Sequence, residues 1–204
     1  MPRILLDGST LTQPAPATWG LLLTDLDHQL AALARIVTDV RFDGIDEPAF
    51  REPDTLQRPL DDLSAVEIWS GTPSGLMDRC LEEALAAVAP LSLAALDVGE
   101  RYRGHDLESA NRGLFELADG LSSLIGIVGA AGMASRVDLD HLQCGDDVAA
   151  AVVGEVGRQL EQLVAAQEAG DWITVADLLQ YDVAVSLKRL APVLESLRQG
   201  TAQP

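Results

Sequence analysis

The chain has 204 residues, 48% of them hydrophobic and 4% aromatic, with 32 acidic against 14 basic side chains for a net charge of −18. That composition sustains a sizeable core built from Leu, Val and Ala. A surface this acidic repels phosphate backbones and anionic lipid headgroups, which argues against nucleic-acid and membrane-surface roles.

Residues 1–71 read as short strands around one helix. Ile4, Leu5 and Leu6 form an apolar run ending in Asp7-Gly8, a hairpin turn signal, with residues 9–12 as the returning strand. Pro14 and Pro16 break the pattern. Thr18 offers an N-cap oxygen. Trp19, Leu22, Leu23, Leu26, Leu30 and Leu33 then mark an amphipathic helix, with Asp25, Asp27 and His28 off its stripe. Val40 and Phe42 alternate with Asp39 and Arg41 as a half-buried strand. Asp43-Gly44 is a second turn, and Pro48 marks an edge or a loop after it. Val66 and Ile68, alternating with Glu67 and Trp69, give a last strand.

This order, with Ile-Leu-Leu-Asp-Gly at 4–8, Leu-Leu-Leu-Thr-Asp-Leu at 21–26, Val-Arg-Phe-Asp-Gly at 40–44 and Leu-Asp-Asp-Leu at 60–63 before Val-Glu-Ile, resembles the β-grasp (ubiquitin-like) fold, most nearly its sulfur-carrier branch. The resemblance covers the first third and implies a fold. Carriers of that family end in an exposed diglycine. The corresponding place here is Ser70-Gly71-Thr72, from which the chain runs on, so the resemblance does not bring the carrier activity with it.

Residues 72–204 read as helical. Thr72-Pro73 is a helix start, with a capping hydroxyl and a proline at the first helical position. Met77, Leu81, Ala84, Val88, Leu91, Ala95, Val98 and Tyr102 stripe the helix to about Arg103, with Pro90 bending it or splitting it in two. A second stripe, Leu107, Ala110, Leu114, Leu117, Leu121, Leu124 and Val128, runs to about Ala134. A polar connection at about 135–145 follows. Asp146 and Asp147 suit the start of the next helix, striped by Ala149, Val152, Val153, Val156, Leu160 and Leu163. Gly170-Asp171 punctuates, and Trp172, Ala176, Leu179, Val183, Leu187, Leu190, Leu194 and Leu197 form the last seam, with a fraying tail at 200–204. Gly104 and Gly170 fit helix C′ positions, and the aspartates after them fit N-caps. Two such hairpins pack as an antiparallel four-helix bundle. The fold class is therefore α+β: a β-grasp-like domain at 1–71 and a four-helix bundle at 72–204.

No constellation carries a chemistry. None of the three histidines follows a glutamate by three residues, as a di-iron bundle requires. His141 and Cys144, with Asp138 and Asp140, form one loop cluster without the second ligand pair that zinc sites draw on. Nucleophile elbows and phosphate-binding glycine loops are missing as well. The expectation is no catalytic residue, no cofactor and no metal. Cys80 and Cys144 do not make a disulfide scaffold, the N-terminus lacks a signal-peptide h-region, and the uncharged run at 120–135 is shorter than the ~20 residues a membrane span needs. A cytoplasmic protein is expected.

Gly126, Gly129 and Gly132 lie within a helix, where glycine costs about 1 kcal/mol against alanine. They mark either a close helix approach or a helix end that a partner orders. Trp172 heads a core seam. Trp69 and Tyr181 lie off their seams and either cover the junction of the two parts or contact a partner. The candidate partner contacts are therefore Trp69, Tyr181, Gly126 and Gly129. The run Gly-Asp-Trp-Ile-Thr-Val-Ala-Asp-Leu-Leu-Gln-Tyr-Asp at 170–182 is similar to the last hairpin of uncharacterised bacterial helical-bundle proteins, and the small, acidic, bundle-based form resembles flagellar export chaperones. The expected function is a non-catalytic binding protein, an adaptor or export-type chaperone, whose client presents a basic amphipathic segment. The alternatives are an enzyme with a site between the domains and a self-assembling structural protein.

Overall fold

The computed structural model describes residues 2–12 and 16–201, so Pro14 and residues 202–204 of the expected tail lie outside the described residues. The architecture is α+β, with two compact units, Met1–Leu76 and Met77–Pro204.

In the first unit, β1 (Arg3–Leu6) turns through Asp7 and Gly8, both at positive φ (49° and 78°), into β2 (Ser9–Thr10). Positive φ at both central residues is what a tight hairpin needs, and Asp-Gly adopts it readily. Helix α1 (Trp19–Ala31) leads to β3 (Ile36–Phe42). A second Asp-Gly turn joins it to β4 (Ile45–Asp46), and the short α2 (Pro53–Leu56) and a 3₁₀ turn at Leu60–Asp62 precede β5 (Ala65–Gly71). The sheet is mixed, in the order β2-β1-β5-β3-β4, with β1 parallel to β5 and the other pairs antiparallel.

Alternation in β3 and β5 sends Val40, Phe42, Val66 and Ile68 inward against Trp19, Leu22, Leu26 and Leu30 of α1. Three expectations change here. Thr18 occupies the N-cap position without a side-chain cap; the Trp19 N–H donates instead to the Arg58 carbonyl at 2.9 Å. Leu33 leaves the stripe and stands 68% exposed, because α1 ends at Ala31 and Ala34 turns left-handed (φ 53°). The returning strand is only Ser9–Thr10.

The second unit is helical. Helix α3 (Pro73–Arg103) begins under the Thr72 hydroxyl, which accepts the Gly75 N–H at 3.1 Å, and it runs through Pro90 as one helix. Its end differs from expectation, since His105 (φ 62°) takes the left-handed position while Gly104 does not. Helix α4 (Leu107–Ser135) is capped by Asp106, whose carboxylate accepts the Ser109 N–H at 3.3 Å. A small hairpin, β6 (Gln143–Cys144) with β7 (Asp147–Val148), precedes α5 (Ala149–Glu168). Asp147 therefore lies on a strand and not in a first helical turn; it holds Arg189 in a two-pronged ion pair at 2.6 and 3.0 Å.

Helix α6 (Trp172–Asp177) is capped by Asp171, which accepts the Thr174 N–H at 3.1 Å. It passes through a π-helical turn at Leu178–Val183 into α7 (Ala184–Thr201), so Gly200 is helical where fraying was expected. All four predicted stripes enter one core, including Leu81, Val98, Leu117, Leu121, Val152, Leu163, Leu179 and Leu187. Trp172 is only half-buried, packed on the core with its ring stacked on Tyr102 at 5.6 Å and 8°. Among the described residues, α4 is the helix long and apolar enough to cross a membrane by length and composition. Its Leu114, Leu117, Leu121, Leu124 and Val128 are buried in this core.

Candidate functional site

Small residues in α4 have two different surroundings. A Cβ on Gly113 would meet Val98 Cγ2 at 2.7 Å, and one on Gly120 would meet Leu91 Cδ2 at 2.7 Å. These two glycines let α3 and α4 approach closely. At Gly126 and Gly129 a Cβ would meet nothing within 4 Å. The close approach expected at those two positions therefore lies about two to four turns earlier in the helix, and Gly126 and Gly129 face open space.

Beside them lies a groove between α4 and α5. It encloses about 420 Å³ and is lined by Asn111, Leu114, Phe115, Ala118 and Ser122 from α4, and by Leu160, Leu163, Val164 and Gln167 from α5. The seam residues Leu114 and Leu163 form its floor, with 7% and 3% exposure. Phe115 and Val164 form its lips, with 76% and 54% exposure. Ala118 and Ser122 are short, and that leaves the recess between the lips. At one end Asn111 Oδ1 accepts the Tyr102 hydroxyl at 2.7 Å and the Gln167 amide at 3.4 Å, which ties the two walls together.

Beyond the groove a stripe of small residues continues along α4, and a separate recess at its far end is bordered by Gly129, Met133, Arg136 and Asp138. Phe115, Ser122, Gly126, Gly129 and Met133 recur at helical spacing on one stripe, spanning about 27 Å. Met133 at its far end is 78% exposed. A large aromatic in solvent has an apolar face that a partner can cover. Phe115 is legible in the sequence as an aromatic one position out of phase with Leu114, a signal the periodicity reading passed over.

The other expected contacts lie elsewhere. Tyr181 is 65% exposed on the π-helical turn, with the Arg103 guanidinium 5.7 Å from its ring centre. Trp69 is half-buried on β5, out of phase with Val66 and Ile68, under the Arg41 guanidinium at 5.2 Å. A larger recess of about 780 Å³ in the first unit borders Ile36, Thr38, Phe50 and Arg51. Its guanidiniums are already committed, Arg51 to Asp27 at 2.9 and 3.0 Å and Arg35 to Ser70 and Asp7.

The loop cluster is dispersed. His141 Nδ1 lies 2.8 Å from Asp138, while Cys144, expected in a polar loop, is 5% exposed and part of the core. Among the described residues no group of three His, Cys, Asp or Glu side chains converges as a metal site would. Both cysteines are free. The carboxylates with displaced titration are all shifted downward by local partners. For Asp138 the cause is the His141 hydrogen bond, for Asp147 the Arg189 hydrogen bond and for Asp171 the Thr174 hydroxyl. For Asp7, burial pulls upward, but the Ser70 N–H, the Ser70 hydroxyl and Arg35 outweigh it.

A family model described as "Domain of unknown function (DUF8042)" matches residues 80–193, a segment that contains the whole groove and covers more than half of the chain. No curated protein and no solved structure matches.

Proposed function

We propose that this chain, which belongs to the DUF8042 family, is a non-catalytic binding protein, an adaptor or export-type chaperone, that seats an amphipathic helix of another protein in the α4–α5 groove. The observation that carries this reading is the groove itself: a buried apolar floor between lips of exposed Phe115 and Val164. A helix laid in such a groove buries its apolar stripe against these side chains. A carboxylic acid serving as a general acid near neutral pH would need its pKa raised by burial. The displaced carboxylates here are depressed, each by a neighbour that serves a cap, a turn or an ion pair.

The finer fold belongs to the same proposal. The first unit is β-grasp-like, supported by its strand order and its parallel central pair. It is read as the fold without the carrier activity, supported by the tie of Ser70 into the sheet, where Arg35 donates to the Ser70 carbonyl at 2.6 Å and Asp7 accepts the Ser70 N–H at 2.8 Å, and by the continuation of the chain from Gly71 into α3. The second unit is a four-helix bundle of α3, α4, α5 and the α6–α7 rod, supported by their shared core. The protein is read as cytoplasmic, in keeping with two free thiols.

Affinity capture from the native host tests the function. The tagged full chain and its Phe115→Ala and Tyr181→Ala variants serve as baits, with mass spectrometry as readout. A protein retained by wild type and Tyr181→Ala but lost by Phe115→Ala supports the reading. Capture indifferent to Phe115 removes it.

A further inference from the structure

Resting on the reading of the α4–α5 groove as a docking site, we propose that its occupant is a basic amphipathic helix whose positive charges gather toward one end. The lips of the groove are bracketed by carboxylates. Asp119 lies one turn beyond Phe115, and Glu161 and Glu168 lie one turn to either side of Val164, so each shares a face with an exposed apolar side chain. None of these three enters a salt bridge among the described residues. Nearby Glu108 and Glu155, by contrast, are already paired with Arg112 and Arg158. Three unneutralised carboxylates beside an apolar trough match a helix with Lys or Arg flanking its apolar stripe, whose long stems also cover the trough edges.

The charge is uneven along α4. From residue 120 to 135 α4 carries no charged side chain. Asp119 follows Phe115 by one turn, whereas the stripe beyond the groove, from Gly126 to Met133, carries no charge of its own until Arg136 and Asp138 at its far end. A client long enough to run past the groove along α4 carries its basic residues where it passes Phe115 and a plain apolar stripe where it passes Gly129. A second copy of the chain fits poorly, because each copy brings a net charge of −18 to the encounter.

Three peptides of about 18 residues, long enough for the ~27 Å stripe, test this against the full chain by fluorescence anisotropy. Two share one Leu face and carry Lys or Glu on the other. The third scrambles the Lys peptide so that no apolar face forms. The Lys-faced peptide is expected to bind and to weaken several-fold between about 20 mM and about 150 mM salt. Phe115→Ala should weaken it roughly tenfold or more. The combined Asp119→Asn, Glu161→Gln and Glu168→Gln variant should flatten its salt dependence. Phe115 is 76% exposed, so its truncation leaves the core intact.

Equal, Phe115-dependent binding of the Lys and Glu peptides would overturn the charge inference and leave the groove standing. Binding that the scrambled peptide reproduces, or that ignores Phe115, would overturn both, as would no binding by any peptide. A dimer in sedimentation that Phe115→Ala abolishes would make a second copy the occupant and overturn the inference.

Discussion

The side-chain amide of Gln159 donates to the Ser186 hydroxyl across 2.8 Å inside the helical core, where the two residues are 4% and 3% exposed. The same amide nitrogen also reaches Glu155 at 2.9 Å. A buried donor that loses its acceptor costs about 1–3 kcal/mol, whereas replacing both partners by apolar groups is often nearly neutral. Ser186→Ala is therefore expected to destabilise the protein by about that amount, and Gln159→Met combined with Ser186→Ala to recover much of it. Urea denaturation of the single and double variants measures the coupling. Additive losses would mean that the hydrogen bond contributes nothing specific.

The glycines of α4 should respond with opposite signs. Gly126→Ala adds a methyl where no atom lies within 4 Å, so it should gain up to about 1 kcal/mol from helix propensity. Gly113→Ala drives a methyl to 2.7 Å from the stiff, branched Val98 side chain, so it should lose about 1–3 kcal/mol through overpacking. Thermal melts of the two variants check the contrast. Stabilisation by both would remove the close approach of α3 and α4.

Leu117→Ala and Leu187→Ala should each cost about 2–5 kcal/mol, because both side chains are fully enclosed in the core. Tyr181→Ala should cost far less, since that ring stands in solvent beneath Arg103. Chemical denaturation compares the three. Equal losses would place Tyr181 in the core.

Acid should loosen the first unit. The Asp7 carboxyl is held below its ordinary value because hydrogen bonds from Ser70 and Arg35 outweigh the upward pull of burial. A depressed carboxylate stabilises the fold fully above its unfolded pKa of about 3.9, and that contribution is lost as pH falls through the lower native value. Melting temperature should therefore drop below about pH 4, and drop less in Asp7→Asn, which has no carboxylate to protonate. An identical acid profile for the variant would show that Asp7 is not among the groups responsible.

The long helices were legible because their signal is local. Leu107 to Val128, and Ala176 to Leu197, repeat at three and four residues whatever surrounds them, and these positions are buried or packed on the core. The two Asp-Gly turns were legible for the same reason. What escaped depends on neighbours distant in sequence. Cys144 looks polar among Asp140, His141 and Asp146, yet the β6–β7 hairpin turns it into the core. Leu33 continues the spacing of α1 but falls beyond its end. Gly126 and Gly129 were singled out on α4 as candidate contacts, but the groove is lined by Phe115, Ala118 and Ser122 of that helix and does not include them. Its lips, Phe115 and Val164, become a site only because α5 lies beside α4, which no single-helix pattern encodes.

Hydrogen exchange on the full chain, with and without the client captured by wild type, tests the docking site most directly. Slowed exchange should appear in α4 and α5 around Phe115 and Val164, extend toward Gly129 and fade as salt is added. Protection confined to residues 1–71, or to the turn that carries Tyr181, would contradict it.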